Sequence, residues 1–260
     1  MKKRFISAIV ILMIFVPILL VGKIYYPILG CIMGMIALWE IMRQEKNIPL
    51  VVKIISFFLG VYLILFDYSH FDFINLFNTR IIGGLFFIYA FSVIINKDIK
   101  KYTYKDGLWL FAMVLIIGLL FNGFIRLRLL GYETVLYCVI ISCITDMFAY
   151  FGGKSLGKHK LIPTVSPNKT IEGSVIGSLF GTIFGTVYAV LVLKNALSFE
   201  IVAVTFLLTI VGQMGDLFFS SIKRHYEVKD FSNIIPGHGG ILDRVDSLLF
   251  VILAYILYII

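Results

Sequence analysis

Charge is scarce in this chain. Of its 260 residues, 15% are Asp, Glu, Lys or Arg and 60% are hydrophobic. A soluble domain carries about 25% charged and about 45–50% apolar residues, so a water-soluble globule is excluded. A large soluble domain is excluded too, because a helical span takes roughly 20 apolar residues and such runs fill nearly the whole length. Cysteine is confined to Cys31, Cys138 and Cys143, all in apolar runs and with no CxxC pair. That excludes a disulfide framework or thiolate metal site and predicts small buried side chains. No G-x4-G-K-[ST] occurs, so there is no Walker loop. No small-x-small cleavage site follows the basic start MKKRFISAIVILMIFVPILLVGK, which therefore reads as an uncleaved first helix. No linker or low-complexity tract interrupts the chain.

The apolar runs predict an all-α, polytopic integral membrane protein with about nine transmembrane helices. They fall at 5–21, 24–42, 49–66, 79–96, 107–125, 133–152, 171–193, 200–222 and 242–259. The first two meet so closely at Gly22-Lys23 that one re-entrant hairpin, giving eight spans, is the alternative. The formal charge of +8 follows topology, with Lys and Arg gathered in alternate short loops, so nucleic acid is not the partner. An N-terminus inside leaves only Lys23, Arg80, Arg126, Arg128 and Lys194 outside. It also puts both long polar segments, 153–170 and 223–241, on the cytoplasmic face. The segment 67–79 reads as an external interfacial loop with aromatic residues, and Trp39 and Trp109 as interface anchors or packing. Gly173, Gly177, Gly181 and Gly185, spaced by four, lay a small-residue stripe along one helix for close packing, within the chain or across a homodimer.

The charges that remain are concentrated. The stretch 212–246, GQMGDLFFSSIKRHYEVKDFSNIIPGHGGILDRVD, leaves one apolar run and enters another. Ionisable groups at the ends of membrane helices need partners and point to function. On a helix Asp216, Ser220, Lys223 and Arg224 share a face. Asp243 and Asp246 share another, with Arg244 turned elsewhere. A second cluster, DMFAYFGGKSLGKHKLIPTVSPNKTIEG, runs from 146 to 173. Asp146 sits late in an apolar span, where a charge costs about 2.5–3.5 kcal/mol if central, and a cation offsets that cost. Gly152-Gly153-Lys154 and Gly157-Lys158-His159-Lys160 offer flexible backbone amides and positive charge, as phosphate binding requires. Ser166-Pro167-Asn168-Lys169-Thr170 leads into the helix at Ile171, where Ser and Thr can cap and the dipole favours an anion. Lys169 is the favoured phosphate contact there, and His159 reads as a surface residue. The alternatives are positive-inside topology for each lysine and a simple helix cap for Asp243 or Asp246. Carboxylates without cysteine or clustered histidine suit a hard cation, most simply Mg²⁺, which uses one or two carboxylates plus substrate phosphates. Asp216 and Asp243 are the first ligands, with Asp246 next.

These residues carry a resemblance. Ser220-Ser221-Ile222-Lys223-Arg224, four residues, Lys229-Asp230, then Pro236-Gly237-His238-Gly239-Gly240-Ile241-Leu242-Asp243-Arg244-Val245-Asp246 resembles the signature of the phosphatidate cytidylyltransferases, or CDP-diacylglycerol synthases. Gly215-Asp216, Asp146-x-x-Ala149-Tyr150 and the run Ser166–Gly173 are similar to that family too, with Asn168 standing where it commonly has Lys. The resemblance is strong over 146–246 and general over 1–130. It implies a cytoplasmic-membrane enzyme joining CTP and phosphatidic acid into CDP-diacylglycerol and pyrophosphate. Residues 1–130 would be a scaffold with lipid access, and 131–260 the catalytic region. Catalysis would fall to Asp216, Asp243, Asp246, Lys223 and Arg224. Substrate binding would fall to Lys169, Ser166, Ser220, Lys229, His238, Gly239, Gly240 and Arg244. Asp216, Asp243, Asp246 and Asp146 would hold Mg²⁺ or a second cation. A CTP-dependent lipid kinase, a cytidylyltransferase for another membrane lipid, and a cation transporter are the alternatives.

Overall fold

The helix Ile171–Leu191 buries Gly173, Gly177, Ser178, Gly181, Thr182, Gly185, Thr186 and Ala189, and exposes Val175, Leu179, Ile183, Phe184 and Val187. This inverts the pattern of a soluble helix, which turns its large apolar residues inward. Lipid removes the hydrophobic drive between helices, so small residues take the contact and large ones face outward.

The computed structural model describes residues 2–67, 79–95 and 101–259. Most of 67–79, and Lys97 and Lys100, lie outside them. The described helices are α1 (Lys2–Val21), α2 (Tyr25–Gln44), α3 (Leu50–Leu65), α4 (Thr79–Ile95), α5 (Tyr104–Leu127), α6 (Tyr132–Leu156), α7 (Ile171–Leu191), α8 (Phe199–His225) and α9 (Leu242–Ile259). A two-stranded antiparallel hairpin, β1 (Lys160–Ile162) and β2 (Ser166–Thr170), precedes α7. Among the described residues five helices, α2 and α5 to α8, are long and apolar enough to cross a membrane, and α1, α3 and α4 contribute shorter apolar lengths. Gly22 takes a positive φ of 63° and Lys23 one of 42°, so the first two apolar runs are separate helices joined by a tight turn.

The chain divides into two compact units. The first comprises 1–129 and 231–242, the second 130–230 and 243–260. In the first, α5 is the axis. Its start is fixed by Thr103, whose N–H and Oγ1 both donate to Asp106 Oδ2 at 2.6 and 2.8 Å. Its far end holds other helices by their last carbonyls. Asn122 Nδ2 donates to Leu63, Ile64 and Phe66, and Arg126 Nη2 to Phe66. Arg128 donates to Leu19 and Leu20. Cations at helix C-termini satisfy orphan carbonyls and match the dipole. Arg126, expected with Arg128 in an outside loop, is instead fully buried in α5.

In the second unit, α7 lies against α6 along the glycine stripe. A Cβ at Gly173 would stand 2.6 Å from the Ala149 carbonyl, and one at Gly177 2.6 Å from the Thr145 carbonyl. Gly185 meets Ile141 of α6 and Thr205 of α8. The stripe is thus occupied within one chain and gives no support to pairing of two copies. Of the cysteines, Cys138 is buried as expected, whereas Cys143 is exposed and Cys31 half-buried, and all three are free. An apolar run does not tell which helix face a residue takes.

Candidate functional site

Four helices and the hairpin of the second unit surround a cavity of about 570 Å³. Each wall owes its position to a local rule. Thr170 caps α7 by accepting the Gly173 N–H at 3.1 Å, which sets the strand before it and turns Lys169 to the cavity. The strand pairs with β1 in the register Lys160–Thr170 and Ile162–Ser166, so Ser166 is a hairpin residue and not a cap. Asp146 comes from α6, Asp216 and Lys223 from α8 at helical spacing, and Asp243, Arg244 and Asp246 from the first turns of α9.

The acids and bases meet in pairs. Lys169 Nζ pairs with Asp216 Oδ2, and Ser220 Oγ donates to Asp216 Oδ1 at 3.1 Å. Lys223 Nζ donates to Asp243 Oδ1 at 2.8 Å, both side chains nearly enclosed at 9% and 1% exposure. Ser247 Oγ donates to Asp146 Oδ2 at 3.1 Å and shares a 2.9 Å hydrogen bond with Ser142, while its N–H donates to Asp246 Oδ1 at 2.8 Å. The lining holds five carboxylates (Asp146, Asp216, Asp230, Asp243, Asp246) and four cations (Lys154, Lys169, Lys223, Arg244). That near balance governs what can enter. A polyphosphate would find little net attraction unless it arrives with a divalent cation.

Several expected contacts lie elsewhere. Arg224 leaves the face of Asp216, Ser220 and Lys223, and its guanidinium donates to the Val165 and Val228 carbonyls at 3.1 and 3.2 Å, bracing the hairpin bend. Lys229 is exposed in the loop after α8 and is not among the lining residues, whereas its neighbour Asp230 is. Of the expected phosphate-binding amides at Gly157–Lys160, those of Gly157, Lys158 and His159 are otherwise engaged. Glu172 accepts the N–H groups of Lys158 and His159 at 3.1–3.2 Å, and His159 Nδ1 bonds its Oε1 at 2.6 Å. Nor are Gly152 and Gly153 a flexible turn, because α6 runs on to Leu156 and both glycines admit α7 and its cap. His238, Gly239 and Gly240 belong to the first unit. There the His238 N–H donates to Ile235 O and the Ile235 N–H to Gly239 O, both at 2.9 Å, closing a tight turn. Gly237 and Gly239 supply its positive φ values of 78° and 86°.

Asp230, given no role within the signature, and Ser247 and Gln213, which no motif marks, all face the site or support it. Gln213 Nε2 donates to Ser178 Oγ at 2.8 Å, tying α8 to α7. A serine or glutamine inside an apolar run carries no periodic signal. Ser247→Ala removes a donor to a carboxylate and a serine partner at once. It is expected to lower stability by about 1 kcal/mol, read as a drop in melting temperature of detergent-solubilised protein. An unchanged melting temperature would show that the α6–α9 link contributes nothing.

Among the described residues no three His, Cys, Asp or Glu side chains are arranged to hold an ion by themselves. Neither histidine nor cysteine lines the cavity, so a soft or imidazole-seeking metal is disfavoured. Hard carboxylate oxygens do fit Mg²⁺, which takes one or two carboxylates and completes its shell from water and phosphate.

The sequence pattern of the cytidylyltransferase family matches residues 2–260. A Bacillus subtilis (strain 168) protein named phosphatidate cytidylyltransferase is 34% identical over 96% of this chain and 94% of its own. Proteins of the same name are 35% identical in Staphylococcus haemolyticus (strain JCSC1435) and 34% in Staphylococcus aureus (strain COL), each over 97% of this chain and 96% of the relative. Together these matches show that the chain belongs to the cytidylyltransferase family.

Proposed function

We propose that this protein transfers a cytidylyl group from CTP to phosphatidic acid, giving CDP-diacylglycerol and pyrophosphate. The observation that carries this reading is the pairing of lysines with carboxylates in one cavity, in a chain whose full-length relatives bear that activity in their names. A phosphate monoester is largely ionised at neutral pH and needs no strong general base. Its oxygen attacks the α-phosphorus of CTP, the bond from that phosphorus to the β-phosphate bridging oxygen breaks, and pyrophosphate leaves with the electron pair. The protein's task is to hold several anions together in line.

Lys169 and Lys223 supply positive charge to the triphosphate and the lipid phosphate by exchanging a carboxylate partner for a phosphate. Asp216 and Asp243, with Asp246 and Asp146, would hold Mg²⁺ or a second cation, which when bound neutralises phosphate charge and aligns the reacting groups. Ser220 keeps Asp216 oriented, and Arg244 adds positive charge near the entering anions. The site belongs to a multi-pass protein of the cytoplasmic membrane with an inside N-terminus and about nine spans. Residues 1–130 act as scaffold and 131–260 as the catalytic region.

Purified protein given labelled CTP and a panel of phospholipid acceptors should label phosphatidate alone and release pyrophosphate, and chelation of divalent ions should stop the reaction. Release of CDP would identify a lipid kinase instead. Full turnover under chelation would reject the metal role.

A further inference from the structure

Glu40, near the end of α2, is fully buried, and its carboxylate faces the loop that leads into α9. Oε1 accepts the Ser232 hydroxyl at 2.6 Å and the Ile241 N–H at 2.9 Å; Oε2 accepts the Leu242 N–H at 2.9 Å. One turn further along α2, Gln44 Nε2 donates to the Phe231 carbonyl at 2.8 Å. Both ends of the segment 231–242 are therefore held by one face of one helix. A buried carboxylate keeps its charge only where donors replace its water, and three converge here.

The arrangement explains two features of the sequence. Helix α9 begins after Gly240-Ile241, so the residue at its N-cap position is Ile241, which has no side-chain acceptor for the first N–H groups. Glu40 does so from another helix, and its negative charge suits that end of the α9 dipole. Gly240 is also explained, since a Cβ there would stand 2.6 Å from Glu40 Cδ. The glycine is thus required by the carboxylate.

We infer that Glu40 is a positioning residue for the transfer reaction. By fixing the first N–H groups of α9 it sets the register of Asp243, one peptide bond after Leu242, and of Asp246 one turn on. The inference rests on the cytidylyl-transfer reading and adds a residue outside the signature segment.

Full-length wild type, Glu40→Gln, Glu40→Asp, Gly240→Ala and the double variant Glu40→Asp/Gly240→Ala should be purified and assayed with CTP, phosphatidate and Mg²⁺. Activity is referred to folded protein by melting temperature. Glu40→Gln keeps the shape but faces an amide N–H₂ toward backbone donors, and turnover should fall about 10–100-fold, as for other hydrogen-bond partners that orient reactive groups. Glu40→Asp keeps the charge and should retain more turnover than Glu40→Gln. Gly240→Ala should be impaired, and shortening Glu40 should relieve part of that defect, so the double variant should exceed Gly240→Ala. A purely structural cap would lower melting temperature and leave turnover per folded molecule alone. Wild-type turnover in Glu40→Gln, or a Gly240→Ala defect untouched by Glu40→Asp, would overturn the inference. An inactive wild type would instead remove the proposed function, and this role with it.

Discussion

Asp243→Asn is expected to lower cytidylyl transfer by about 10²–10³-fold, the loss seen when one preorganised electrostatic contact to a reacting group is removed. Asp243 is enclosed, and the same carboxylate both meets Lys223 at 2.8 Å and faces the cavity. The asparagine is isosteric, so packing survives and charge is lost. That loss acts twice. It removes a carboxylate that would hold the cation in the proposed reaction, and it takes from the Lys223 ammonium a carboxylate that offsets its burial. Breaking a buried pair from one side costs about 3–5 kcal/mol, so the variant should also melt earlier. The double variant Asp243→Asn/Lys223→Met separates the two effects. Neutralising both partners should recover much of the melting temperature, because an apolar replacement of a buried pair is often close to neutral. It should recover none of the turnover. Near-normal transfer by Asp243→Asn in purified protein would take Asp243 out of the mechanism. Turnover returning in the double variant would reduce its role to charge balance for Lys223.

The parts of this protein that were legible in the sequence are those where one residue breaks a strong background. Against long apolar runs, Asp146, Asp216, Asp243 and Asp246 stand out because charge in such a setting is costly without a partner. All four line the same cavity. Helix ends were legible for the same reason, α6 excepted, where Gly152 and Gly153 look like a turn but serve close approach to α7. What stayed hidden depends on distant partners. Glu40 belongs to no motif in the sequence, and the groups that donate to it lie 192–202 residues away. The direction of Arg224 was hidden too. A helical wheel places it with Lys223, but the hairpin bend at Val165 draws the guanidinium aside. The strands are a third case, since three and five residues containing Ser-Pro give no alternation to read.

Gly177→Val is the second large effect, and it acts without touching any charged group. The added Cβ would fall 2.6 Å from the Thr145 carbonyl and 2.8 Å from Ala149 Cβ. One of these obstacles is backbone, which cannot rotate away as a side chain can, so α6 and α7 must separate. Overpacking of this kind costs about 1–3 kcal/mol and occasionally more. The geometric consequence exceeds the energetic one. Asp146 follows Thr145 on α6, and Lys169 stands two residues before α7, so opening that helix pair moves two walls of the cavity apart. Valine should therefore destabilise the protein and abolish transfer, with Gly177→Ala intermediate in both. Leu179→Ala, on the exposed face of the same helix, should stay within about 0.5 kcal/mol of wild type and keep its activity. The contrast separates a packing stripe from general intolerance of change in α7. If Gly177→Val matched Leu179→Ala in melting temperature and turnover, the close approach of α6 and α7 would not be what holds the site together.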